Sequence, residues 1–192
     1  MPIFRNVFDY RRFIKTMTYY QIEGPKPKFS RFLPSTTILN KSNKIVEIVC
    51  YCLMPNHFHF LLKQIRDGGI TEFVSKVSNS YTKYFNTKNR REGPLLQGEF
   101  KSVYVETNEQ LLHLSRYIHL NPLVGYVVKD LEDYRWSSYL EYLGIYNTDI
   151  CAKSIIVRQF KSVDDYKRFV LDREDYGKKL EAIKHQLLDF EE

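Results

Sequence analysis

Two short apolar runs dominate the first third of the chain, Lys44 to Leu53 and Asn56 to Gln64, joined through Met54-Pro55-Asn56. Their β-branched and aromatic content and tight connection predict an antiparallel strand pair. Elsewhere the apolar positions recur at helical spacing. Tyr10, Phe13, Ile14 and Met17 predict a helix from Asp9 to Gln21 with Arg11, Arg12 and Lys15 on its other side. Phe73, Val77, Tyr81, Tyr84 and Phe85 predict another from about Ile70 to Asn86, its start capped by Thr71 or Gly69. Leu111, Leu112, Leu114 and Ile118 mark a third, from Glu109 toward Asn121, capped by Thr107 or Asn108 and ended by Pro122.

Between these helices, Val103 and Val105 alternate with Ser102 and Tyr104, which predicts a third strand over Phe100 to Glu106. The pattern is helical again from Asp133 to Leu143, with the single tryptophan, Trp136, as a core anchor. Gly24-Pro25-Lys26-Pro27 breaks the first helix, residues 28–42 read as irregular or only partly helical, and Thr87 to Gly98 as a loop. Gly144 to Thr148 reads as a boundary, which divides the chain into a main domain, 1–146, and a short helical extension, 147–192. Within the extension, Ala152 to Phe160, Val163 to Leu171 and Tyr176 to Phe190 read as helical pieces.

A formal charge of +6 and a pI near 9.1, spread along the chain rather than gathered in a tail, predict a basic face for a polyanionic partner. The 15 tyrosines and 13 phenylalanines serve core packing first and base stacking second. Cys50, Cys52 and Cys151 make no disulfide framework, and neither a secretory signal nor a membrane-spanning apolar run is present, so a reducing cytoplasm is expected. The spacing of Cys50 and Cys52 is unlike a zinc knuckle, and both read as small buried residues.

The chemistry-bearing stretch is Leu53-Met54-Pro55-Asn56-His57-Phe58-His59. On a strand, residues two apart share a face, so His57 and His59 project together and can share one metal ion. Either histidine alone is more simply a hydrogen-bonded core residue; the pair favours a metal. Tyr117 and Asn121, four apart, lie one turn from each other on the third helix. His119 faces another way and reads as structural or solvent-facing, and Tyr81 and Tyr84 as core before nucleophile.

Read in order with Gly93-Pro94-Leu95-Leu96-Gln97-Gly98-Glu99-Phe100-Lys101-Ser102, Tyr117-Ile118-His119-Leu120-Asn121-Pro122 and Tyr134-Arg135-Trp136-Ser137-Ser138-Tyr139, this stretch resembles the HUH-type single-tyrosine transposases. The branch associated with repetitive extragenic palindromes is the most similar. The resemblance runs from the first residues to about Gly144. It implies an α+β fold, an antiparallel sheet with flanking helices in the ferredoxin or RNA-recognition arrangement. It also implies that Tyr117 is the nucleophile and that His57, His59 and Asn121 hold Mg²⁺ or Mn²⁺. The implied activity is cleavage and rejoining of single-stranded, usually hairpin, DNA through a tyrosine bonded to the 5′ phosphate. A free phenol is a poor nucleophile at neutral pH, so such chemistry needs a Lewis acid on the phosphate. Lys83, Lys88, Arg90, Arg91 and Lys101 are the expected phosphate contacts, with Arg11 and Arg12 behind them. A homodimer is compatible with the resemblance, because related enzymes include obligate dimers.

The chain departs from that pattern twice. Family members carry a strand before the Ile3-Phe4 segment, and here Met1 leaves almost no residues for it, so the first strand is expected to be missing or truncated. Glu99 stands where arginine is frequent. Both departures keep a catalytically decayed hairpin-binding protein as the alternative function. A third class, an RNA-recognition module, lacks its aromatic pattern here.

Overall fold

Strand β1 (Val46–Met54) and strand β2 (His57–Gln64) form a two-stranded antiparallel sheet joined by a turn at Pro55 and Asn56. This computed structural model describes residues 1–24, 27–32, 40, 42–96, 98 and 100–172. The predicted helix over 176–190 and the charge of Glu99 lie outside the described residues. The fold is α+β, with six α-helices among the described residues: α1 (Val7–Tyr20), α2 (Gly69–Asn89), α3 (Asn108–Val124), α4 (Tyr139–Tyr142), α5 (Ser154–Val157) and α6 (Val163–Leu171). Two compact units draw on the strand pair. Unit 1 is Met1–Ile48, Pro55–Phe58 and Leu62–Gly98, and unit 2 is Val49–Met54, His59–Leu61 and Glu99–Glu192.

Unit 1 is built on aromatic rings. Phe13, fully buried on α1, meets Phe4, Tyr81 and Phe58 at centroid distances of 5.2, 5.0 and 4.8 Å. Helix α1 begins where Asn6 accepts the amides of Phe8 and Asp9, and it packs on α2. The segment before it is pinned: Ile3 and Phe4 both donate to the Pro55 carbonyl, and the Tyr81 hydroxyl donates to that of Ile3. Helix α2 starts one residue later than its cap. Gly68 is the cap, at φ +69°, while a Cβ on Gly69 would sit 2.4 Å from the Ile45 carbonyl oxygen. Thr71 therefore does not cap it. At its other end α2 runs to Asn89, past the predicted Asn86, and leaves Tyr84 half-buried.

Unit 2 surrounds the almost continuously buried second half of β1. Cys50, Cys52, Leu114, Ile118, Leu120, Tyr139, Tyr142, Ile156, Tyr166 and Val170 share one core, so helices α5 and α6 contribute to it alongside α3. Thr107 caps α3 by accepting the Gln110 amide.

Three expectations are corrected here. Helix α3 does not end at Asn121 but passes through Pro122 to Val124. Proline removes one ladder donor, yet the next carbonyls are satisfied, that of Asn121 by the Gly125 amide and that of Pro122 by Val127. Residues 100–106 are not a strand: Val103 and Val105 are half-buried between exposed neighbours, as predicted, but no ladder partner lies alongside among the described residues. The helix over Asp133 to Leu143 is interrupted. A 3₁₀ turn at Leu131–Asp133 gives way to backbone pairing with β1, in which Leu53 donates to the Trp136 carbonyl and Ser138 to that of Tyr51. An antiparallel bridge joins Cys52 and Ser137. Pairing with a strand edge outweighs the helical pattern there, and only α4 remains of it.

Candidate active site

The turn at Pro55 and Asn56 delivers His57 to the start of β2, where the side chain is exposed. Its Nδ1 lies 2.8 Å from Asn56 Oδ1. An amide oxygen accepts only, so this contact selects the tautomer with the proton on Nδ1. His59, two residues along the same strand, is half-buried.

In unit 2, the His59 ring meets the Tyr117 ring edge-on, with centroids 5.6 Å apart and planes at 79°. Tyr117 is half-buried on α3, and one turn later the Asn121 amide Nδ2 donates to the Tyr117 carbonyl at 3.1 Å. That bond uses the nitrogen of Asn121 and assigns its Oδ1 as the acceptor end. Three of the four residues expected to act together therefore stand in one neighbourhood of unit 2, and the fourth, His57, belongs to unit 1.

His119 has a different role. It is fully buried, with Nδ1 2.7 Å from the Tyr166 hydroxyl and Nε2 2.7 Å from Ser138 Oγ. Burial pushes its pKa down to about 3, so it stays neutral and is spent on two hydroxyls. It cannot serve Tyr117 as a base. This network ties α3 to α6 and, through the Tyr51 amide bonded to Ser138 Oγ, to β1. Sequence reasoning took His119 as structural or solvent-facing; its partners lie 19 and 47 residues away, which no local pattern signals.

Rival groups are removed by their surroundings. The buried hydroxyl of Tyr81 is held by Ile3, and that of Tyr84 donates to Asp9. Burial raises both phenols above their ordinary value. Cys50 and Cys52 are fully buried, and burial holds both thiols far above the ordinary range, so they remain neutral and poor ligands. No group of three or more His, Cys, Asp and Glu residues able to hold a metal exists among the described residues. By residue chemistry, two imidazoles and an amide oxygen are donors that suit a divalent ion; with their nitrogens engaged as above, His57 and Asn121 have Nε2 and Oδ1 as their acceptor atoms.

The basic residues sort themselves. Lys83, Arg90 and Arg91 line an open concavity of about 590 Å³ at the end of α2, together with Thr82, Asn86, Thr87 and Glu92. Lys88 faces elsewhere: its ammonium pairs with the fully buried Asp9 carboxylate and reaches Asn6 and Tyr84. Burial pushes the Asp9 pKa up, but hydrogen bonds from Lys88, the Arg5 amide and Tyr84 outweigh it and hold the carboxyl below its ordinary value. Arg12 packs over the rings of Phe29 and Tyr84, at 4.3 and 5.2 Å. Lys88 and Arg12 are thus taken up inside unit 1, whereas Arg11 is exposed on α1 and Lys101 on the extended segment of unit 2.

Residues 31–121 match the family model described as "Transposase IS200 like". The matched segment contains His57, His59, Tyr117 and Asn121 and stops at the last of them. The similarity is to a family of transposases and covers just under half of the chain. No curated protein and no solved structure matches the chain. No helix among the described residues is long and apolar enough to cross a membrane.

Proposed function

Taking the similarity of residues 31–121 to IS200-like transposases as premise, we propose that the chain cleaves and rejoins single-stranded DNA through Tyr117, on hairpin or palindromic substrates and in the cytoplasm. The branch associated with repetitive extragenic palindromes is the one its motifs fit. The observation that carries the reading is the edge-on contact of Tyr117 with His59, with Asn121 bonded one turn below.

In this reaction the Tyr117 hydroxyl oxygen forms a bond to phosphorus and loses its proton to solvent, the bond to the 3′ oxygen breaks, and that oxygen takes up a proton from solvent. The product is a 5′-phosphotyrosine and a free 3′ hydroxyl, and because the ester retains the energy of the broken bond, a 3′ hydroxyl can reverse the step. His57, His59 and Asn121 would hold Mg²⁺ or Mn²⁺, which supplies Lewis-acid polarisation of the phosphate. Asn56 holds the His57 ring in the Nδ1–H tautomer, and the backbone carbonyl of Tyr117 holds the Asn121 nitrogen. Arg11, Lys83, Arg90, Arg91 and Lys101 supply phosphate contacts.

Incubation with a single-stranded hairpin oligonucleotide and Mn²⁺ is expected to give a covalent protein–DNA adduct that Tyr117→Phe abolishes. An adduct that survives in the Tyr117→Phe protein would remove Tyr117 from its role. Salt-sensitive DNA binding by the unaltered protein without any adduct would favour the alternative, a hairpin-binding protein that has lost catalysis.

A further inference from the structure

We propose that Lys83, Asn86 and Thr87 of α2, with its capping residue Arg90, form a path for the phosphodiester backbone of single-stranded DNA. The inference rests on the reading above and locates the grip on a surface formed within unit 1.

The spacing is the first argument. Lys83, Asn86 and Thr87 stand three and four residues apart, the spacing that places side chains on one helix face, and the capping residue Arg90 lines the same concavity. The stripe extends roughly 10 Å along the axis, longer than a single bound ion needs and suited to successive backbone phosphates. Lys88, five residues from Lys83, turns about 140° away, and its charge is spent on Asp9. Lys83 and Arg90 are exposed and have no ion pair among the described residues; Glu92 is the one carboxylate in the same lining.

The second argument is preorganisation. The Arg91 guanidinium is held from behind, Nη1 by Asn86 Oδ1 at 3.1 Å and more weakly by the Gly93 carbonyl, Nη2 by the Pro94 carbonyl at 2.8 Å. Asn86 Nδ2 donates to the same Gly93 carbonyl at 2.7 Å, closing the clasp. An arginine so fixed loses little freedom on meeting a phosphate, while its remaining N–H groups stay available.

The third argument is backbone strain. Arg90 terminates α2 at φ +50° and ψ +46°, the left-handed region where glycine is the usual resident. A long cation held there against its preference is what a functional requirement for charge would leave behind. Arg90→Gly therefore separates stability from binding, because the glycine suits the backbone and lacks the charge.

The test is the salt dependence of binding to a single-stranded oligonucleotide, read with the full chain. Each lost phosphate contact is expected to reduce the slope of log K against log salt by about 0.7 and the affinity at 0.1 M salt by about five-fold. Lys83→Ala with Arg90→Gly is thus expected to flatten the slope by about 1.4 and to weaken binding by about 25-fold. Arg90→Gly alone is expected to lose about five-fold in affinity with a melting temperature no lower than that of the unaltered protein. The exposed Lys161→Ala is the control for net charge. A slope in the double variant equal to that of Lys161→Ala overturns the proposal, as does displacement of the oligonucleotide by millimolar inorganic phosphate at matched ionic strength. Failure of the unaltered protein to form a Tyr117 adduct is a separate result, which removes the strand-transfer reading and leaves the slope measurement to judge the path.

Discussion

Each compact unit places one polar side chain among aromatic rings, Asp9 in unit 1 and His119 in unit 2, and the two groups differ in charge. Unit 1 buries a charge: the Asp9 carboxylate, fully enclosed, is met by Lys88, the Arg5 amide and the Tyr84 hydroxyl. Unit 2 buries a neutral ring, His119, met by the hydroxyls of Tyr166 and Ser138, alongside the buried side chains of Arg116 and Glu141. The difference has a functional side. The helix that carries Tyr117 and Asn121 is fastened both by these neutral bonds and by the buried Arg116, whose guanidinium lies 5.1 Å from the centre of the Phe169 ring. Unit 1 gives up one of its basic residues, Lys88, to hold α1 against α2.

The strongest way to break the comparison is to remove both central groups. His119→Ala strips two hydroxyls of a partner and opens a void inside the core, and is expected to cost about 3–5 kcal/mol. Asp9→Ala removes the shared acceptor of three donors, but Lys88 is partly solvated, so a loss of about 2–3 kcal/mol is expected. Denaturant midpoints of the two variants check the order, and a costlier Asp9→Ala would reverse the argument.

Acid sharpens the contrast, because the two groups fail in different windows. His119 has a folded pKa of about 3, below its ordinary value. The unfolded chain therefore takes up a proton first, and stability, complete above about pH 6.5, drains away as pH falls toward 3. Asp9 is likewise held below its ordinary value, so its contribution is complete above the usual carboxylate range and is lost only at still lower pH. Amide hydrogen exchange at pH 7, 5 and 3 is expected to show unit 2 losing protection at pH 5 while unit 1 keeps it. Equal loss in both units at pH 5 would remove His119 as the cause.

Local chemistry announced much of this. The hairpin, α1, α2, the Thr107 cap and α6 follow from apolar spacing and capping residues, and the placement of Tyr117 one turn from Asn121 follows from helix geometry alone. The contact of Tyr117 with His59 was legible only through the resemblance, since no spacing relates a strand at 59 to a helix at 117. Lys88 read as a phosphate contact because its neighbours are basic; its partner, Asp9, lies 79 residues earlier. Residues 136–138 read as helix for the same reason: edge pairing with β1 is a tertiary fact that overrides local preference. The alternation at 103–105 was real, but alternation reports which face is covered, not whether a neighbouring strand supplies the ladder.

The smallest effects come from two glycines, one in each unit, whose neighbours differ in stiffness. A Cβ at Gly69 would meet the Ile45 carbonyl oxygen at 2.4 Å and its carbon at 3.2 Å. That carbonyl already accepts the amides of Ile65 and Arg66, so it cannot withdraw without breaking both. Gly69→Ala is expected to cost about 2 kcal/mol. At Gly125 a Cβ would meet Met54 Cε at 2.9 Å and the Asn121 carbonyl oxygen at 3.1 Å. The first is the free end of an unbranched thioether that can swing aside, and the backbone there, at φ −79°, suits alanine. The expected loss for Gly125→Ala is therefore below about 1 kcal/mol. Melting curves of the two variants test this directly. A larger loss at Gly125 would mean that Met54, at the end of β1, is held as rigidly as a main-chain carbonyl, and that the C-terminal end of α3 tolerates no adjustment beside Asn121.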